Sequence, residues 1–286
     1  MIGALLIDKP AGPTSHDVVR EVRRAMGTRA VGHTGTLDPF ATGLMVVLVG
    51  RATRLARFVE AADKTYLATA RLGTATDSDD ATGAVISTVE PARLARVSDN
   101  EIVTALMSLA GPQLQRPPAY SAKHVAGERS YRRARRGEHV ELQPVPVTVH
   151  RIELLEREGP LVTFRTTVSA GTYIRALARD LGAALGVGAH LTALRREAIG
   201  SLRVDDAIPL ARLGPETPLL PPAAVLGHLP ERELDAEARN EIVHGRPIAR
   251  QGESGELVML LHDRALVALA EPEDQWLRPR VVLETA

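Results

Sequence analysis

Hydrophobic and polar positions along the chain fall into distinct periods, and each period predicts an element. Residues 3–7, Gly-Ala-Leu-Leu-Ile, are a short apolar run that predicts a buried strand ending at the Asp8-Lys9-Pro10 turn. Thr14 or Ser15 can cap a helix behind it, whose apolar stripe is Val18, Val22 and Met26. Residues 44–49 are again uniformly apolar and predict a second buried strand. Residues 51–62 predict a helix with Leu55, Phe58, Val59 and Ala62 inward and Arg51, Arg54 and Arg57 as one basic ridge. Residues 65–72 alternate, with Tyr66, Ala68, Ala70 and Leu72 on one side of a strand.

The pattern continues through an acidic, turn-rich stretch at residues 74–83. Ser98-Asp99-Asn100-Glu101 then fits a capping box for a helix carrying Ile102, Ala105, Leu106 and Leu109, which Gly111-Pro112 ends. Residues 145–155 and 161–169 predict a strand pair joined near Gly159-Pro160. Ile174, Leu177, Leu181 and Leu185 mark a helix closed by Gly186, and residues 190–204 return to an extended or mixed pattern. Pro215, Pro218, Pro221, Pro222 and Pro230 place a boundary between residues 214 and 230. Beyond it, residues 242–248, 257–261 and 265–270 predict short strands of a small β-rich module.

Between the first two strands lies the stretch that breaks every period: Gly32-His33-Thr34-Gly35-Thr36-Leu37-Asp38-Pro39-Phe40-Ala41-Thr42-Gly43. Its glycines and proline predict a loop. Asp38 is its single carboxylate, and the proline after it confines its backbone. A turn cap is the ordinary role for such an aspartate. Loops presented by a rigid scaffold also carry chemistry.

Composition narrows the field. The apolar fraction is 44% and the charged fraction 24%, ordinary for a globular protein. Neither a secretory leader nor a membrane-length apolar run is visible, and cysteine is absent, so a cytoplasmic protein without disulfides or thiolate metal sites is expected. No P-loop and no His-Glu-x-x-His occurs, so neither a nucleotide site of that kind nor a metal centre is expected. The 35 basic and 35 acidic residues cancel, which by itself points away from nucleic acid. Distribution changes that picture. Arg116, Lys123, Arg129, Arg132, Arg133, Arg135 and Arg136 face only Glu128 and Glu138 in residues 116–139, with Tyr120 and Tyr131 interleaved. A solvated charged surface is the common reading of such a run; its sign bias and aromatics favour an RNA-facing insertion.

The order Gly-His-Thr-Gly-Thr-Leu-Asp-Pro-x-Ala-Thr-Gly resembles the active-site segment of the bacterial tRNA pseudouridine-55 synthases, the TruB family. Four further segments agree in order: Asp8-Lys9-Pro10-Ala11-Gly12, Lys64-Thr65-Tyr66, Gly171-Thr172-Tyr173-Ile174-Arg175, and the run from Gly188 through Leu194 to Arg196. The resemblance implies an α+β pseudouridine synthase fold around a mixed, mostly antiparallel sheet. It implies a catalytic domain at residues 1–229, with an RNA-clamping insertion at about 112–144, and a PUA-like RNA-binding module at 230–286. The activity implied is isomerisation of uridine-55 in the T loop of tRNA, by base flipping and without a cofactor.

The resemblance also assigns roles. Asp38 matches the catalytic aspartate, which attacks the ribose C1′ or the base C6, and Arg175 the arginine that pairs with it. If residues 172–175 are extended, Tyr173 and Arg175 point to one side. Tyr66 matches the tyrosine that stacks on uracil and serves in proton removal, and Tyr173 a second pocket tyrosine. His33 matches the histidine that fills the space of the flipped base, Leu194 a leucine against the base, and Lys9 a lysine that supports the loops. Arg129, Arg132, Arg133, Arg135 and Arg136 are the expected RNA contacts. The partner expected is the T arm of tRNA, with no guide RNA, no metal and no membrane, and the protein is expected to be a monomer. Two rivals compete. A non-catalytic RNA-binding module would not need Asp38, Tyr66 and Arg175 together. A small-molecule glycosidase would need a second carboxylate that the motifs lack.

Overall fold

The computed structural model describes residues 1–120, 124–125, 128–129, 136 and 142–284. The chain divides into two compact units, Met1–Ala62 with Ala198–Ala286, and Asp63–Glu197.

In the first unit both apolar runs form the strands the sequence predicts, and they pair with one another. Strand Gly3–Lys9 runs antiparallel to Thr42–Val49, in register from Gly3 opposite Val49 to Lys9 opposite Gly43. Val31–His33 adds a short strand against the same partner, and Ile208–Pro209 lies parallel to Ile7 and Asp8. The first two residues of the expected loop, Gly32 and His33, are therefore paired, and residues 34–41 form the loop proper. Helix Ser15–Met26 starts at Thr14, whose hydroxyl accepts from the Asp17 amide while the Asp17 carboxylate accepts from the Thr14 amide. Val18, Val22 and Met26 are its buried stripe.

The expected helix over residues 51–62 is a 3₁₀ segment, Gly50–Leu55, followed by a short α-helix, Ala56–Glu60. Three residues per turn align Arg51 with Arg54, and these two guanidinia donate to the Leu283 and Val282 carbonyls. The ridge thus fastens the last strand of the chain.

The C-terminal residues form a five-stranded sheet in the order Glu231–Glu233, Val258–His262, Ala265–Glu273, Trp276–Val282, Ile248–Ala249. Its alternation makes it two-sided. Met259, Leu261, Leu269 and Val281 join Leu6, Val46, Leu48, Leu55 and Val59 in one core. Val258, Leu260, Ala268 and Ala270 build a second core with Leu234 and Ile242. Ile242 belongs to helix Ala236–Val243, where the sequence pattern predicted a strand over 242–248. The Asp235 carboxylate caps that helix at the Ala238 amide, and with one buried residue in two turns it leaves no apolar period to read.

The second unit is built on strands in the order Ala189–Ile199, Lys64–Leu72, Leu161–Val168, Val145–Glu158, Gly111–Gln115. Lys64–Leu72 lies antiparallel to Leu161–Val168, and Tyr66, Ala68, Ala70 and Leu72 are buried on one face. Helix Asp99–Ser108 carries the expected capping box, with Ser98 and Glu101 exchanging hydrogen bonds. Thr74–Thr76 and Val85–Thr88 form a two-stranded hairpin around the acidic turn. Gly3–Lys9 with Thr42–Val49, Lys64–Leu72 with Leu161–Val168, and Val145–Glu158 with both its neighbours are antiparallel, whereas Ile208–Pro209 with Ile7 and Asp8, Glu231–Glu233 with Val258–His262 and the isolated Asp80–Leu191 bridge are parallel. The fold is α+β around a mixed, mostly antiparallel sheet, with a small C-terminal β-rich module. Among the described residues no helix is long and apolar enough to cross a membrane.

Candidate active site

The 34–41 loop is held by the turn and helix that precede it. Lys9 sits at the end of the first strand and is 0% exposed. A buried ammonium is costly unless its donors are met. Its Nζ donates to the carbonyls of Pro10 (2.8 Å), Pro39 (3.2 Å) and Ala41 (2.8 Å). The Gly12 amide donates to the same Pro39 carbonyl at 2.8 Å. Ser15 is buried at the first position of the following helix. Its Oγ accepts from the Leu37 amide at 2.9 Å and donates to the Leu37 carbonyl at 3.1 Å. Asp38 is half-buried between these anchored residues, and its own carbonyl accepts from the Ala41 amide at 3.1 Å. His33 precedes the turn. Its Nδ1 accepts from the Gly35 amide at 3.3 Å, and its ring meets that of His16 edge-on, with centroids 5.8 Å apart. Gly35 has φ 137°, which a residue with a Cβ rarely adopts, so the path the loop takes beyond this amide favours glycine at position 35.

The second unit holds Tyr66, Tyr173, Arg175 and Leu194. The chain is extended only as far as Tyr173; Ile174 begins the helix Ile174–Ala184. The condition for Tyr173 and Arg175 to share one side, an extended 172–175 segment, is therefore not met, and Arg175 projects from the first turn of the helix that the Ile174 spacing predicts. The apolar spacing of Ile174 and Leu177 sets that helix start. Gln115 fixes the turn, its side chain accepting from the Tyr173 amide at 2.8 Å and donating to the Tyr173 carbonyl at 3.1 Å.

Arg175 is 5% exposed. Its guanidinium donates to the Ser78 carbonyl at 3.0 Å and the Tyr120 carbonyl at 2.9 Å, and lies 3.5 Å from Asp80 Oδ2. The other Asp80 oxygen accepts from Ser78 Oγ, Thr82 Oγ1 and the Thr82 amide. Arg179, one turn on, pairs with Asp79 at 2.9 Å. Burial pushes the Asp79 carboxyl above the ordinary range, against the opposing pull of Arg179 and Arg175. The acidic turn read from the sequence is thus the seat of Arg175. It closes tightly: a Cβ at Gly83 would collide with the Asp77 carboxylate and the Ser78 amide nitrogen.

Tyr66 and Leu194 are buried on strands Lys64–Leu72 and Ala189–Ile199. Of the expected RNA contacts, Arg132, Arg133 and Arg135 lie outside the described residues, Arg129 falls in strand Glu128–Arg129, and Arg136 is exposed in a turn. Among the described residues, Glu233, His262 and Asp263 have the spacing of a metal trio; they lie in the C-terminal sheet, and exposed groups of this kind are common without an ion.

Residues 23–174 match the model of the TruB family pseudouridylate synthase N-terminal domain, and residues 175–216 that of the tRNA pseudouridylate synthase B C-terminal domain. The chain belongs to the TruB family. The tRNA pseudouridine synthase B of Thermobifida fusca is 46% identical over 289 residues, covering 98% of this chain and 98% of the relative. That of Leifsonia xyli is 45% identical over 280 residues, covering 92% and 93%. A Cbf5-Nop10-Gar1 complex contains a chain similar to this one, with a TM-score of 0.77 and 28% identity over 99% of this chain and 85% of that one. An H/ACA RNP bound to a substrate RNA containing 2′-deoxyuridine gives 0.75 and 26%, over 99% and 85%. As a TruB family member the chain is a pseudouridine synthase, an isomerase. Asp38 and Arg175 both fall in matched segments, whereas Lys9, Ser15 and His16 precede the first of them. Asp80, Gln115 and Ser15 were not singled out by motif. Only the density of Asp, Ser and Thr around residue 80 hinted at a hydrogen-bonded turn.

Proposed function

We propose that the chain converts uridine-55 in the T loop of tRNA to pseudouridine, acting alone, without a cofactor or guide RNA. The observation that carries this reading is the setting of Asp38: it is the one carboxylate of a loop whose backbone is gripped by Lys9, Gly12 and Ser15. The relatives named tRNA pseudouridine synthase B, similar over nearly the whole chain, support tRNA as the substrate.

The chemistry balances within the substrate. The C1′–N1 bond breaks, uracil turns, a C5–C1′ bond forms, C5 loses its proton and N1 gains one. Nothing is oxidised or consumed. Asp38 attacks the ribose C1′ or the base C6, splitting one hard displacement into two steps. Arg175 pairs with it and keeps it ionised where water is excluded. Tyr66 stacks on the base and takes part in proton removal, Tyr173 and Leu194 line the pocket, and His33 occupies the space vacated by the flipped base, offsetting lost stacking. Lys9 holds the loop and takes no part in bond changes. Arg129, Arg132, Arg133, Arg135 and Arg136 supply affinity through phosphate contacts. The PUA-like module at residues 230–286 adds RNA contacts.

Incubation of the purified chain with unmodified tRNA, followed by mapping of pseudouridine, tests the reading. Modification at position 55 and at no other uridine is expected. Modification elsewhere, or a requirement for an added RNA or metal, contradicts it.

A further inference from the structure

We propose that Ser15 is a positioning residue for Asp38: its hydroxyl fixes the peptide unit from which the carboxylate is presented. The inference rests on the reading of Asp38 as the nucleophile and adds to it a residue that none of the motifs marks.

Ser15 is 1% exposed and opens the helix Ser15–Met26. Serine in the first helical turn ordinarily turns its hydroxyl to the helix's own backbone or to water. Here it faces another segment, 22 residues on. A hydroxyl can donate and accept at once. Ser15 does both with one residue, accepting from the Leu37 amide and donating to the Leu37 carbonyl. The carbonyl of Leu37 belongs to the peptide unit that joins it to Asp38. The Leu37 side chain is buried, so the residue is held from both sides.

The other neighbours of Asp38 are already fixed. Proline follows it, and the Pro39 carbonyl takes hydrogen bonds from Gly12 and Lys9. The Asp38 carbonyl takes one from Ala41. On the side that precedes the aspartate, Ser15 is the side chain that holds both backbone groups of the adjoining residue, Leu37. Thr14 and Asp17 make the base rigid, since their reciprocal hydrogen bonds cap the helix at the turn that carries Ser15. Helix start and reactive loop are thereby one mechanical unit, with the Ser15 hydroxyl as the joint.

Three substitutions separate positioning from packing. Ser15→Ala removes the hydroxyl, while Ser15→Thr and Ser15→Val share a shape and differ only in having or lacking it. Each is assayed by single-turnover pseudouridine formation at saturating unmodified tRNA, by tRNA Kd, and at a temperature well below its own Tm. Misplacement of a reacting group by about 1 Å can cost about 100-fold, so Ser15→Ala and Ser15→Val are expected to slow the reaction about 10–100-fold with Kd unchanged. Ser15→Thr is expected to be faster than Ser15→Val by most of that factor. Wild-type turnover in Ser15→Ala, a loss that appears in Kd instead of rate, or equal rates for the Thr and Val variants would overturn the proposal. Asp38→Asn is run alongside. Activity in that variant removes the nucleophile reading itself, whereas an inactive Asp38→Asn beside a fully active Ser15→Ala removes only the role given to Ser15.

Discussion

Two regions of the molecule each hold one charged side chain, and they do it by opposite means. Asp38 is placed through its backbone: Lys9, Gly12 and Ser15 bind the carbonyls and amides on either side of it. Arg175 is placed through its head group, which meets two carbonyls and the Asp80 carboxylate. The difference fits the roles proposed for the two groups. A nucleophile would have to form and release a bond, which suits a scaffold that fixes the chain carrying it. A charge stabiliser would make no bond, so its guanidinium could be coordinated from several sides at no cost to the chemistry.

The largest break in this comparison comes from Arg175→Lys. A single ammonium cannot span the Ser78 and Tyr120 carbonyls that the planar fork reaches together. Single-turnover rates on unmodified tRNA are expected to fall by roughly two orders of magnitude or more, as for loss of a preorganised electrostatic group, with tRNA affinity little changed. A near wild-type rate would mean that the charge alone suffices.

Next come the supports themselves. Lys9→Met keeps a chain of similar volume but leaves the Pro10 and Ala41 carbonyls without that donor, and urea denaturation should show a loss of about 2–4 kcal/mol. Asp80→Asn removes the charge facing Arg175, and the same measurement should show about 1.5–3 kcal/mol. The two variants should also differ in kind. The first should slow catalysis through the Asp38 loop and the second through Arg175; because those two groups are proposed to act as a pair, the rate effects should be less than multiplicative in the double mutant.

The smallest effect is a pH slope at Asp79. Burial raises its pKa in the folded state, so the stability linked to its protonated form is present below the unfolded pKa and is lost as pH rises through the folded one. From about pH 4 upward, wild-type stability should therefore fall more steeply than that of Asp79→Asn. Asparagine tolerates the φ of 60° at this position, so the backbone is not perturbed. Identical slopes would show that Arg179 and Arg175 cancel the cost of burial.

How much of this could be read from the sequence depended on how far apart the partners lie. The alternation of residues 65–72, the stripe Val18-Val22-Met26 and the Ser98–Glu101 box are local patterns, and each became the element they predict. The 32–43 motif marked its loop because Gly and Pro leave a local signature. Gln115 left none and the residues around Asp80 marked only a turn, since what the two side chains hold is Tyr173 and Arg175, whose contacts with this part of the chain span 55 to 97 residues. Ser15 could be read as a helix cap, but a hydroxyl bound to Leu37 cannot be inferred from its neighbours. Residues 51–62 were misread in helix type because a spacing of three suits a 3₁₀ turn as well as an α-helical face. Residues 242–248 were misread because a two-turn helix with one buried side chain has no period.

The central claim is that Asp38 is the group that attacks the substrate. It is tested most directly by single-turnover pseudouridine formation with Asp38→Asn on unmodified tRNA, with binding followed in parallel. Asparagine keeps the size of the side chain and leaves the Lys9, Gly12 and Ser15 contacts in place. The account predicts no pseudouridine and a tRNA Kd within a fewfold of wild type. Substantial product from Asp38→Asn would contradict it.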